Sequence, residues 1–224
     1  MDSSYIKFLT ELRENNERPW FQANKARYDE LREQWLDEIN RLINNCTEWE
    51  PAYRWLTAKE CVYRIYRDTR FSPDKTPYKT YFSALITPKG KTTEMAGYYV
   101  QAGLDDSFSG LYGGLWSPDR EALRKMRHAI VDNIEEFEEI INEPSLVKLY
   151  PHWSEVGHAL KTIPKGWPKD HPQAELLRLQ DYGREHLLTP KFFTDKAWPE
   201  KAAEMLRPLQ PLIHFINYTL FEEE

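Results

Sequence analysis

Residues 64–79 read RIYRDTRFSPDKTPYK, and this stretch is the strongest guide to the fold. β-branched and aromatic residues lie on both sides of Ser72-Pro73-Asp74, a sequence that favours a tight turn. The pattern predicts a hairpin with one strand over 61–71 and the next over 79–87. Five cations lie within it, although charge beside a core is costly unless it is paired or holds an anion. The stretch therefore predicts either a structural ion-pair network or an anion-binding site.

Further β-rich runs are predicted at 95–103, 106–112 and 182–189. Because turns and no helical segments separate the runs between 61 and 112, they indicate antiparallel pairing rather than βαβ units. Helical spacing of apolar residues predicts long helices over 5–12, 19–44, 119–141 and 199–216, and a short helix over 173–180. The predicted architecture is a single α+β domain over 1–224. Its antiparallel β-sheet of about five strands is packed with N-terminal, middle and C-terminal helices.

The composition is typical of a folded globular protein, with 41% hydrophobic and 14% aromatic residues among 224. No run approaches the roughly eighteen apolar residues of a membrane span, and the N-terminus lacks the apolar segment of a signal peptide. Cys46 and Cys61 are too few for a disulfide framework, so reduced thiols are expected. Together these features predict a soluble, cytoplasmic protein without a membrane partner.

Charge is unevenly distributed along the chain. Residues 59–91 carry eight cations against three acidic residues, whereas the whole chain has a net charge of −6. An acidic total disfavours a general nucleic-acid binder, which would have a basic surplus. A basic segment within an acidic protein favours a small anionic ligand over a long polyanion.

The candidate ligand-binding residues come from the hairpin and from one amide on the second predicted helix. Guanidinium groups match the oxygens of carboxylate and phosphate in bidentate geometry. If the hairpin turns near 72–76 in an even-sum register, Arg67 pairs across to Lys79 and Tyr81. Diagonal neighbours about 7–8 Å apart then let two cations converge on one anion. The predicted ligand-binding residues are Arg64, Arg67, Arg70, Lys75, Tyr78, Lys79 and Asn24, with Asp68 as the ion-pair partner of Arg70.

Weaker candidates lie outside the hairpin. Gly113-Gly114 precede a predicted helix, where backbone N–H groups could cradle an anion, although paired glycines usually only make a turn. Lys165, Asp170 and His171 lie in the long predicted loop 143–172, and long loops often carry function. The sequence has no zinc-ligand spacing, Walker loop or nucleophile elbow. No metal site and no cofactor are therefore expected, and no catalytic residue is assigned.

Several blocks of the sequence resemble a known family. They are Asn15 to Phe21, Asn24-Lys25 with Tyr28, Arg64 to Phe71, Asp74-Lys75, Pro77 to Lys79, Gly97 to Tyr99, Pro164 to Trp167 and His171-Pro172. With its R-x-x-R-D-x-R-F core, the chain resembles the bacterial domain-of-unknown-function family 2461, and the likeness covers nearly its whole length. The resemblance implies a single compact domain with a shared motif, and it supplies no chemistry.

Three functions are open from the sequence. Binding of a small anionic ligand at the hairpin 64–79 is the preferred hypothesis. The second is an enzyme acting on a phosphorylated or carboxylated metabolite, whose developing negative charge the cations would stabilise. The third is a protein-interaction module in which the motif is purely structural. The residues do not decide whether the protein is an enzyme, and they leave its oligomeric state open.

Overall fold

A four-stranded antiparallel sheet is the framework of the chain in the computed structural model, which describes residues 3–104, 108–154 and 159–221. Its strands are hydrogen-bonded in chain order: β1 (Tyr81–Ile86), β2 (Gly97–Gly103), β3 (Gly110–Leu115) and β4 (Tyr182–Leu187). Each lies within or overlaps a predicted run, although residues 106 and 107 of one run lie outside the described part of the chain. The predicted α+β class is confirmed, with N-terminal, middle and C-terminal helices around the sheet.

Helices occupy the segments before, between and after these strands. The N-terminal helices are α1 (Ser4–Glu14), α2 (Arg18–Ala23), α3 (Lys25–Cys46) and α4 (Ala58–Cys61). The middle helices are α5 (Arg120–Asp132), α6 (Ile134–Ile141), α7 (Pro144–Leu149) and α8 (Ala174–Arg178). The C-terminal helices are α9 (Trp198–Leu206) and α10 (Gln210–Phe221). Short 3-10 turns cover Pro51–Tyr53, Pro190–Thr194 and Arg207–Leu209.

Two of the predicted long helices are each broken at an asparagine. The predicted helix 19–44 is interrupted at Asn24, whose Nδ2 donates to the carbonyl of Trp20 at 3.0 Å. The predicted helix 119–141 is interrupted at Asn133, whose Nδ2 donates to the carbonyl of Ala129 at 3.1 Å. In both cases the side-chain amide and the backbone N–H of the asparagine donate to the same carbonyl, and such local side-chain bonds compete with continuation of the helix. Apolar periodicity continues through each break and therefore did not reveal it.

Helix α7 lies inside the region predicted as a loop. It begins with Pro144 in its first turn, and the Glu143 side chain accepts hydrogen bonds from the N–H groups of Ser145 and Leu146. An acceptor side chain before a first-turn proline is a helix-start signal. The sequence therefore carried the information for this helix, and the density of prolines around it obscured the signal.

The predicted first strand, 61–71, is not part of the sheet, which has four strands rather than about five in the described residues. This segment makes only two isolated bridges there, Val62 to Ala84 and Tyr66 to Tyr78. Beyond Tyr66, local bonds compete with a ladder, since Asp68 Oδ1 accepts from the N–H of Arg70 at 3.2 Å. On the facing segment of the hairpin, Pro77 has no N–H with which to donate a ladder bond. The result is an irregular hairpin whose two segments are joined by a few backbone bonds, the outermost from the N–H of Arg67 to the carbonyl of Pro77 at 2.9 Å.

The chain divides into two compact units, each made of separate segments. The first comprises 1–91, 99–111 and 187–205, and the second comprises 92–98, 112–186 and 206–224. In the first unit Trp35 stacks on Trp198 with ring centroids 5.5 Å apart. In the second, the rings of Phe137 and Phe215 lie 5.0 Å apart. That residues 1–224 form one domain stays a prediction.

Both cysteines are buried free thiols, as the sequence predicted. Burial raises the pKa of Cys46 strongly and that of Cys61 to about 12, which keeps both thiols protonated at neutral pH.

In the described part of the chain, no helix has the length and apolar character needed to cross a bilayer.

Candidate functional site

The hairpin leaves the sheet through a bulge opposite Arg64. The N–H of Lys79 donates to the carbonyl of Ile65 at 2.8 Å, and the N–H of Tyr63 donates to the carbonyl of Ser83 at 3.0 Å. Between these two bonds, one segment of the hairpin runs two residues, from Tyr63 to Ile65, and the facing segment runs four, from Lys79 to Ser83. Two extra residues therefore bulge out between Lys79 and Ser83. Bulges bend a strand and re-aim its side chains, and they are common beside functional sites.

Lys79 is half-buried between two tyrosine rings. Its Nζ lies 5.0 Å from the ring centroid of Tyr63 and 5.6 Å from that of Tyr81, within the range of a cation–π interaction. Among the described residues, no carboxylate and no hydrogen-bond acceptor pairs with this ammonium. An aromatic cage without a counter-ion is an environment in which an ammonium attracts an anion.

Arg64 is the second cation of this cluster. It is exposed on the hairpin, and no carboxylate forms an ion pair with it in the part of the chain that the structure describes. Its positive charge acts on Lys79, whose pKa is lowered first by burial and then by Arg64. Arg64 also helps to lower the pKa of Asp68, so this carboxylate offsets part of its charge without forming an ion pair with it. An anion bound near Arg64 and Lys79 would relieve the remaining repulsion between the two cations. Arg64 and Lys79, flanked by Tyr63 and Tyr81, are named here the Lys79 cluster.

Arg67, the first residue predicted to contact ligand, is used inside the hairpin instead. Its guanidinium donates to the Asp74 carboxylate and to the Thr76 hydroxyl, with a longer bond of 3.3 Å to the Thr76 carbonyl. Its backbone pairs with Pro77 rather than with Lys79, because the bridge between Tyr66 and Tyr78 sets a register different from the predicted one. The Thr76 N–H and then the Arg67 guanidinium lower the pKa of Asp74 to about 2. Arg67 therefore closes the turn of the hairpin.

Arg70 and Lys75 also have partners within the hairpin. The Asp68 carboxylate accepts from the Arg70 guanidinium, at 3.0 Å from Nε and 2.7 Å from Nη2, and this guanidinium and then the Arg70 N–H lower the pKa of Asp68 to about 2. The ammonium of Lys75 donates to the carbonyl of Thr69 at 2.9 Å. Since Arg70 and Lys75 are exposed at the tip, these contacts order the turn without enclosing a ligand.

The two remaining predicted ligand residues have structural contacts. Tyr78 is 2% exposed and stacks on Phe21 with ring centroids 4.0 Å apart. Asn24 donates to the Trp20 carbonyl and accepts a bond of 3.0 Å from Arg27, so both ends of its amide are used at the α2–α3 break. Tyr78 thus packs in the core and Asn24 lies at a helix break, and contact of either residue with a ligand stays a prediction.

Of the weaker candidates, the glycine pair does not lie where the sequence predicted it, and a role of Lys165, Asp170 and His171 stays a prediction. Gly113 and Gly114 lie inside β3 rather than before a helix. Gly114 has φ +138, and a Cβ there would lie 2.1 Å from the carbonyl oxygen of Tyr182, so its small size serves close strand packing. His171 Nδ1 accepts from the N–H of Gln173 at 3.2 Å and its ring packs on Trp167. No group of three or more His, Cys, Asp or Glu able to hold a metal occurs within residues 3–104, 108–154 and 159–221.

An open groove of about 600 Å³ lies along residues 187–195 and has mainly apolar walls, with Leu187, Leu188 and Phe192 among them. None of the predicted ligand residues lines it. The groove and the Lys79 cluster are therefore separate features.

Tyr63 and Tyr81 were not among the predicted ligand residues. The sequence signal was their position beside the cations, since aromatic residues near arginines can stack on a ligand. Their contact with Lys79 depends on the bulge, which sequence periodicity does not encode.

One family model, described as "Conserved hypothetical protein (DUF2461)", matches residues 4–215. Neither the curated proteins nor the solved structures include a match to the chain.

Proposed function

Because the chain belongs to the DUF2461 family of conserved hypothetical proteins, a membership that assigns no activity, we propose a function from its own residues: it binds a small carboxylate- or phosphate-bearing anion at Arg64 and Lys79. The observation that carries the proposal is the half-buried Lys79 ammonium, which has a second cation nearby and no carboxylate partner in the described residues. A buried or half-buried charge is normally paired. A bound anion would supply the missing partner.

Arg64 and Lys79 have complementary chemistry for this role. The guanidinium of Arg64 is planar, permanently charged and able to donate two parallel hydrogen bonds to a carboxylate or phosphate. The ammonium of Lys79 adds a point charge with three donors. The rings of Tyr63 and Tyr81 limit access of water on the Lys79 side, which strengthens the attraction to an anion.

The other half of the motif supports a structural role. Arg67 with Asp74 and Arg70 with Asp68 form closed pairs within the hairpin. The cations of the motif thus have two different roles. Arg67 and Arg70, with their carboxylate partners, hold the turn in shape, and the Lys79 cluster remains open for a ligand. The alternative hypothesis of a purely structural role therefore applies to Arg67 and Arg70.

The test is thermal unfolding of the purified chain with increasing inorganic phosphate and, separately, oxalate. An anion at about 100 times its dissociation constant should add about 2.7 kcal/mol to the free energy of unfolding. We expect this stabilisation to disappear in Arg64→Gln and in Lys79→Met, because each removes one of the two open cations.

The matched control is Lys75→Met, which removes an exposed hairpin ammonium whose partner is the Thr69 carbonyl. This variant should keep the full stabilisation. Equal stabilisation of the wild type, Arg64→Gln and Lys79→Met would move the anion site elsewhere and overturn the proposal.

A further inference from the structure

One face of the sheet beside the Lys79 cluster carries tyrosine rings. On β1, Phe82 faces helix α3, where its ring lies 6.0 Å from that of Trp35. Because side chains alternate along a strand, Tyr81 and Ser83 lie on the opposite face. Tyr63 pairs with Ser83 through its backbone N–H and therefore shares that face with Tyr81. The rings on either side of the Lys79 ammonium thus belong to the sheet face that is turned away from α3.

This row of rings continues onto β2. The Tyr99 ring lies edge-to-face with that of Tyr63, with the centroids 6.4 Å apart. The Tyr99 hydroxyl donates to Oε1 of Gln101 at 2.6 Å, and Nε2 of Gln101 donates to the carbonyl of Phe108 at 2.9 Å. Tyr63, Tyr81, Tyr99 and Gln101 are all half-buried, so part of each side chain is accessible. These four residues are named here the tyrosine strip.

The tyrosine strip and the cations lie in consecutive contact. Nζ of Lys79 lies 5.0 Å from the centroid of the Tyr63 ring, and Tyr63 in turn contacts Tyr99. A nucleotide has the same order of groups, because its sugar separates an anionic phosphate from a flat aromatic base. Aromatic side chains stack on bases, and the contacts with the tyrosine rings hold Lys79 in the charged form that attracts a phosphate.

We propose that the ligand of the Lys79 cluster is a nucleoside monophosphate, with its phosphate at Arg64 and Lys79 and its base on the tyrosine strip. This proposal rests on the anion site proposed above and names the ligand class for it. An anion without an aromatic ring can use the cations alone and therefore binds more weakly.

The tyrosine strip is already ordered for this role. The bond between Tyr99 and Gln101 and the ring contact with Tyr63 fix Tyr99 before a ligand arrives, which lowers the entropic cost of binding. The two described bonds of Gln101 use one lone pair of its side-chain oxygen and one N–H of its side-chain nitrogen. Since an amide has two of each, Gln101 can use the second donor and the second acceptor to bond the edge of a base.

The test is isothermal titration of the purified chain with four probes. Adenosine 5′-monophosphate is the complete ligand, ribose 5-phosphate lacks the base, adenosine lacks the phosphate, and benzoate carries its carboxylate directly on an aromatic ring. Stacking of one base on an aromatic side chain is worth about tenfold or more in affinity. We therefore expect adenosine 5′-monophosphate to bind at least about tenfold more tightly than each of the other three probes.

Variants separate the tyrosine strip from the anion site. Tyr99→Leu removes a ring and leaves both cations, so it should keep its affinity for ribose 5-phosphate and lose the preference for adenosine 5′-monophosphate. Gln101→Ala, which tests the strip at a second position, should weaken adenosine 5′-monophosphate alone. Arg64→Gln should weaken both phosphates. The matched control is Phe71→Leu, which removes a ring that is 93% exposed on the hairpin and should bind every probe like the wild type.

The outcomes are distinguishable. Equal affinities for adenosine 5′-monophosphate and ribose 5-phosphate, together with intact stabilisation by inorganic phosphate, would overturn the nucleotide ligand and leave the anion site standing. Adenosine or benzoate binding as tightly as adenosine 5′-monophosphate would also overturn it. A preference for adenosine 5′-monophosphate that survives in both Tyr99→Leu and Gln101→Ala would place the base elsewhere. Absence of all binding, with no stabilisation by phosphate, would remove both proposals.

Discussion

At the scale of single residues, the hairpin shows that five similar cations have different environments. Arg67 and Arg70 each have a carboxylate partner, and Lys75 has a carbonyl. Arg64 and Lys79 have neither in the described residues. Most exposed ion pairs contribute little to stability, so the paired cations act by shaping the turn. Arg64 and Lys79 are the cations to which we assign the proposed anion.

The pH dependence of oxalate binding follows from Lys79. Oxalate keeps a constant charge above pH 7, and its binding requires the ammonium form of the lysine. Because burial and Arg64 lower the pKa of Lys79 from its usual value of 10.5, affinity should be complete at low pH and be lost as pH rises through that lowered value. Isothermal titration between pH 7 and 10.5 measures this, and Lys79→Arg should bind with no such loss. A wild-type affinity as flat as that of the arginine variant would contradict the role of Lys79.

At the scale of elements, asparagines determine where several helices end. Asn15, Asn24, Asn133 and Asn142 each donate from Nδ2 to the carbonyl four residues back, at 2.8 to 3.1 Å. Each of these carbonyls also accepts the backbone N–H of the same asparagine, so the side chain adds a second donor to the last turn of the helix. The device is local and uses residue types that disfavour helix interiors, so it explains why the predicted long helices are shorter pieces.

Replacing Asn24 tests whether it belongs to the helix break or to the ligand site. Asn24→Ala removes the bonds to the Trp20 carbonyl and to Arg27, so the free energy of unfolding should fall by about 1 kcal/mol. Phosphate stabilisation should stay unchanged. Urea unfolding with and without phosphate measures both quantities, and Gln22→Ala, an exposed change on α2, is the control. Loss of phosphate binding in Asn24→Ala would instead return this amide to the ligand site.

At the scale of the whole molecule, the question is whether 1–224 unfolds as one domain. Ile39 in the first compact unit and Ile130 in the second are both fully buried. In a single cooperative domain, the most protected amides exchange only through global opening, with one common free energy. Hydrogen exchange should therefore give values for α3 and α5 that agree within about 0.5 kcal/mol. A difference of roughly 2 kcal/mol or more would show separate cooperative units.

By itself the sequence determined the α+β class, the approximate position of most helices and strands, the free thiols and the location of the cations. These properties depend on local patterns: apolar spacing, turn residues and charge within a few positions along the chain. The sequence also predicted the pair of Arg70 with Asp68, whereas only the tertiary structure decided that Arg67 has a carboxylate partner and that Lys79 has none among the described residues. Whether Lys79 meets a carboxylate or two tyrosine rings depends on a two-residue bulge in its pairing with the facing segment of the hairpin, and no local pattern encodes that bulge.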